Sequence, residues 1–78
     1  MKKLYNKKRK LVQELHKITK ELDTLIEERF GFSYSQTDCD EMIDTLDYGT
    51  NNIEYNDFIE LMTMYKNKLE KGTWTPNS

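Results

Sequence analysis

Thirty residues pass before the first glycine, and the single proline, Pro76, stands close to the end of the chain. Residues 2–29 therefore lack both residue types that most disfavour a helix interior. Leu4, Leu11, Ile18 and Leu25 recur seven apart, and Leu15 and Leu22 follow Leu11 and Ile18 by four. That spacing predicts one long helix over about 2–29, a rod of roughly 42 Å at 1.5 Å per residue. Taking the first set as heptad position d puts Lys8, Leu15, Leu22 and Arg29 at a, and Tyr5, Val12, Thr19 and Ile26 at e. A seam confined to a and d belongs to an isolated coiled coil, whereas the added e positions widen it to a face that packs in a bundle.

Two shorter helices are expected to supply that packing. Cys39, Met42, Ile43 and Leu46 follow the helical i, i+3, i+4, i+7 pattern, which predicts a second helix over about 38–47. Thr37 and Asp40 stand at its start as a hydroxyl with a carboxylate three residues on, close to a capping box. Tyr55, Phe58, Leu61, Met62, Tyr65 and Leu69 predict a third helix over about 55–70, with Asp57 and Glu60 near its start and Lys66 and Lys68 near its end, complementing the helix dipole. Gly31, Gly49 and Gly72 each follow one of these segments, where a left-handed residue commonly closes a helix. The fold class is all-α: a single helical domain over about 1–71, with a tail at 72–78. Two short helices do not cover a rod of that length unless stacked end to end along it. Leu4, Leu11 and Leu15 are therefore expected to be buried by a second chain in a homodimer. Lys8 and Arg29 at a positions disfavour a continuous parallel seam and point to an antiparallel or offset one.

At 78 residues the chain holds one domain with a thin core. A net charge of -2 and 12% aromatic residues argue against wholesale disorder. No apolar run exceeds two residues, which argues against a transmembrane span or a signal-peptide core. Cys39 is the one cysteine, so no internal disulfide forms and a cytoplasmic setting is expected. Alanine is absent while Lys, Asn, Ile, Tyr and Glu are plentiful, a bias that suggests an AT-rich coding genome such as that of a low-GC bacterium or its phage.

Charge is distributed unevenly. Residues 1–29 carry nine Lys/Arg and five acids, whereas 30–78 carry three and nine, and 37–60 holds eight acids with no Lys or Arg. Capping and solubility account for part of this, because charge runs are commonly solvated faces. Asp40, Asp44 and Asp47, with Glu41, fall opposite the Met42/Ile43/Leu46 face of the second helix. Neighbours three or four apart on a helix stand about 5–6 Å from one another. This row resembles successive phosphates along a nucleic-acid strand and suits a basic groove on another protein. At the other end Lys2, Lys3, Lys7, Lys8, Arg9 and Lys10 are able to neutralise phosphates, so direct nucleic-acid binding is the alternative. No aromatic platform, zinc motif or helix-turn-helix spacing accompanies them.

Signals of chemistry are few. The stretch 44–58, with Ile53 as loop hydrophobe and Asp57-Phe58 as last ligand and helix opener, resembles the second half of an EF-hand. In that register the first three side-chain ligands become Leu46, Tyr48 and Thr50 and the glycine position becomes Asn51. Leucine and tyrosine supply no carboxylate, so the resemblance implies a helix–turn–helix connection without calcium. His16 is the only histidine and falls at heptad position b, facing solvent, and Cys39 lies on an apolar face. Neither has a partner readable from the sequence, so no enzyme, cofactor or metal is expected. Trp74 lies in the tail, either folded back on the core or serving as an anchor for a partner. The function expected is a non-enzymatic interaction module, phage or mobile-element encoded, that inhibits a host protein by occupying a basic site. A nucleic-acid-binding regulator and a structural oligomerisation protein are the alternatives.

Overall fold

The computed structural model describes residues 1–77; Ser78, the last residue of the expected tail, lies outside them. Helix α1 (Lys2–Phe30) is continuous and ends at Gly31, whose φ of 85° and N–H donated to the Glu27 carbonyl close it in the left-handed manner. The N–H of Gly31 is then satisfied while the chain turns away from the helix axis. Lys66 on the third helix donates from Nζ to the Arg29 carbonyl at 3.3 Å, placing a cation at the negative end of α1.

A 3-10 turn (Tyr34–Gln36) follows. Ser33 opens it with a full capping box: its N–H donates to Gln36 Oε1 at 2.9 Å and its Oγ accepts from the turn. The Ser33 hydroxyl also donates to Asp23 on α1 at 2.8 Å, which ties the connection to the long helix. Helix α2 (Asp40–Ile43) runs on into a π-helical turn (Asp44–Tyr48) that Gly49 ends at φ 65°. Thr37 does not cap this segment, contrary to what its pattern suggests. It is buried, and its hydroxyl donates to the Tyr34 carbonyl at 2.6 Å, so α2 begins two residues later with Cys39 at the cap position. Helix α3 (Tyr55–Glu70) spans the range expected for the third helix.

The elements after α1 form a head on its C-terminal third. Its core is Ile26 and Phe30 of α1, Phe32 and Tyr34 of the connection, Met42 of α2, and Phe58, Met62 and Tyr65 of α3. Met42 and Met62 are wholly inaccessible, and Phe32 and Tyr34 nearly so. Phe30, Phe32 and Tyr34, spaced two apart through the end of α1 and the connection, all turn inward. Residues 2–18 of α1 are all exposed. The molecule is consequently a rod with a knob, 53 Å long and about 22 Å across. No helix among the described residues is long and apolar enough to cross a membrane.

Candidate functional site

The head places the acidic residues in two distinct environments. Asp40 and Glu41 open α2 and are exposed, opposite the fully buried Met42, and Asp44 is half-buried. At a helix start their charge is favoured by the free N–H groups and the positive end of the dipole. Asp47 behaves differently. It lies in the π turn, which bonds i to i+5 and advances each residue by less than the 100° of an α-helix. Asp47 is exposed, and its carboxylate accepts a hydrogen bond from the buried Tyr34 hydroxyl at 2.5 Å. Of the four carboxylates expected on this face, Asp40, Glu41 and Asp47 are exposed and Asp44 is half-buried, and Asp47 also holds the Tyr34 hydroxyl.

A second clamp joins Tyr65 of α3 to Asp38, hydroxyl to carboxylate, at 2.7 Å. Burial is the main cause that pushes both phenol pKa values well above 10, with the hydrogen bond and the charge of the adjacent aspartate adding to it. Together with Asp23 and Ser33, these pairs are the only side-chain hydrogen bonds that carboxylates accept among the described residues. All three donors are hydroxyls, and none is a lysine or arginine. The carboxylates of α2 and of the start of α3 are therefore not hydrogen-bonded to any cation of the same chain.

Trp74 is occupied within the head. Its ring lies 5.0 Å from Phe32 and 5.0 Å from Tyr65, edge-on to both, and is half-buried. The Asn77 N–H donates to the Gln36 carbonyl at 2.9 Å, so the tail is strapped across the 3-10 turn. Of the two roles considered for Trp74, the ring takes the one in which the tail folds back. Leu4, Leu11 and Leu15 remain open, at 73%, 55% and 51% exposure.

His16 is exposed on the free part of α1, and Cys39 packs half-buried at the edge of the core. Among the described residues no three His, Cys, Asp or Glu side chains gather around one point. A concavity of about 550 Å³ runs along one side of α3 past Glu60, Met64 and Lys68. Two smaller apolar grooves of about 220 and 240 Å³ lie where α1 meets the head, and both are lined by Leu22, Tyr55 and Phe58. Neither the clamps nor the tail strap is legible in the sequence. The Ser33-x-x-Gln36 spacing is a readable signal for the capping box, but Tyr34–Asp47 and Tyr65–Asp38 join residues far apart in the chain.

Comparison with protein-family models, curated proteins and solved structures finds no match to this chain.

Proposed function

We propose that the protein is a non-enzymatic interaction module whose anionic head occupies a basic site on another protein, of the kind that holds a nucleic-acid backbone. The observation that carries this reading is the segment 37–60, with eight acids and no Lys or Arg. It folds into one end of the molecule, where its carboxylates accept hydrogen bonds from hydroxyls alone. Asp40, Glu41 and Asp44 are the contact residues. Asp47 contributes charge while its carboxylate holds Tyr34, and Trp74 supports the head from within. Acting by stoichiometric occupancy, such a module needs no cofactor and no pocket. The composition fits a phage or mobile-element protein working in the cytoplasm of its host.

The test is affinity capture from a low-GC bacterial lysate with the wild type and with the D40N/E41Q/D44N variant. Partners that bind nucleic acid, are displaced by added DNA or RNA, and are lost with the variant support the reading. An unchanged partner set rejects it. The exposure of Lys2, Lys3, Lys7, Lys8, Arg9 and Lys10 on the free end of α1 favours a second reading, direct binding of nucleic acid. Salt-sensitive binding of purified DNA or RNA, abolished when those six become Gln, would replace the first reading with this one.

A further inference from the structure

The head covers only one side of the α1 stripe. Ile26 and Phe30 are buried against it and Leu22 is half-buried, but every d residue stays open: Ile18 and Leu25 are 60% and 63% exposed, like Leu4 and Leu11. The seam passes alongside the head and does not end beneath it. At its C-terminal end it runs into the 240 Å³ groove between α1 and α3, lined by Leu25, Ile26 and Arg29 on one side and Tyr55, Phe58 and Ile59 on the other. Tyr55, at the mouth of the groove, is 68% exposed.

We infer that a second copy of this chain covers the seam, running antiparallel, with its basic N-terminal turns lying over the α1–α3 groove of the first. Register follows from the heptad. In an antiparallel pair each a residue faces a d residue of the other helix, and g faces g. One alignment sets all four a residues against d residues at once. Leu22 meets the second copy's Leu11, Leu15 meets its Ile18, Arg29 meets its Leu4, and Lys8 meets its Leu25. The central layers are wholly apolar, and the two long cations lie over leucines at the ends, where their stems pack and their heads reach water. The same register sets Lys7 against the second copy's Glu28. It also sets Glu14 against its Glu21, two carboxylates that each follow a lysine by four residues on their own helix.

Charge selects this orientation over a parallel one. A parallel in-register pair would stack Lys8 on Lys8 and Arg29 on Arg29, and would bring two acidic heads together. The antiparallel pair instead lays the basic turns around Lys7 of one copy beside the exposed Glu27 and Glu28 of the other copy's α1. The first turn of α1 has no acidic residue and no side-chain cap, and its lysines stand at the positive end of the dipole. Glu28 of a second copy brings a carboxylate to these N-terminal turns. This inference rests on the apolar seam and stands whether or not α2 binds a basic site.

The experiment is sedimentation equilibrium of the full chain at micromolar concentration, paired with an intermolecular distance from a spin label at position 3 in a C39S/K3C variant. A dimer with labels about 40 Å apart is expected, because the two positions then lie at opposite ends of the paired helices. A monomer at all concentrations overturns the inference and leaves the seam to another partner. A dimer with labels about 10 Å apart, the spacing of parallel neighbours, overturns it too. L11E/I18E is expected to abolish the dimer while the near-ultraviolet signal of the head is kept, since both side chains are exposed in the single chain. K7E is expected to weaken dimerisation by about three- to tenfold, and adding E28K to restore it. Failure of that rescue rejects the register.

Discussion

Removing the Tyr34 hydroxyl isolates the contact that it makes with Asp47. Tyr34→Phe keeps a ring that is 1% exposed, together with its edge contact to Phe58 at a centroid distance of 6.5 Å. It deletes only the donor to Asp47. Hydrogen bonds to charged groups contribute about 1.5–3 kcal/mol, and the Asp47 carboxylate recovers part of that from water. The expected loss is about 1–1.5 kcal/mol. A domain of this size is stabilised by about 4–12 kcal/mol, so the change is a sizeable fraction of the whole. It lowers Tm by roughly 5–10 °C, read by far-ultraviolet circular dichroism at one fixed protein concentration. Asp47→Ala should be worse, at about 2–3 kcal/mol, because it strands a buried hydroxyl. Y34F added to D47A should then recover about 1 kcal/mol, since the stranded hydroxyl is gone. Y34F within about 0.3 kcal/mol of wild type, or simple additivity in the double variant, would refute the clamp.

Further expectations follow from the same packing. Tyr34 and Tyr65 have folded pKa values raised above their ordinary 10, so the stability they lend is fully present below about pH 10 and is lost as pH rises through the folded values. Urea midpoints should fall above pH 10 at up to about 1.4 kcal/mol per pH unit for each tyrosine, and Y34F/Y65F should lack that slope. Trp74→Ala opens the aromatic stack between Phe32 and Tyr65 and should lower stability by about 2–3 kcal/mol with loss of the near-ultraviolet signal; an unchanged melt would show the tail to be dispensable. Gly49→Ala forces a side chain into a left-handed conformation at φ 65° and should cost about 1–2 kcal/mol by thermal melt, although nothing crowds the added Cβ.

Legibility in the sequence follows the range of the interactions. Helices α1 and α3 announce themselves through many periodic residues, and the glycines at 31 and 49 mark closures that depend on local sterics alone. The second helix is less transparent. Its apolar spacing is compatible with an α-helix as far as Leu46, and nothing local signals the wider turn from Asp44 to Tyr48. Thr37 misleads because a hydroxyl before an acidic helix start looks like a cap, whereas the true capping box lies four residues earlier at Ser33. The tyrosine clamps join residues 13 and 27 positions apart, so only the closed fold pairs them. Trp74 admits two roles in the sequence because a lone aromatic in a polar tail carries no period. Exposure along α1 is legible in outline. That the seam continues past the head to Leu25 follows from the angle at which α3 docks, which the sequence pattern does not encode.

The proposed activity depends on an anionic surface at the start of α2 that meets cations from outside. Backbone amide chemical-shift mapping of the labelled protein with an arginine-rich peptide tests this whatever the natural partner is. Shifts concentrated on residues 40–44, screened by salt and absent in D40N/E41Q/D44N, are the predicted result. Shifts spread evenly over the carboxylates of both ends, or unaltered in the variant, would contradict it.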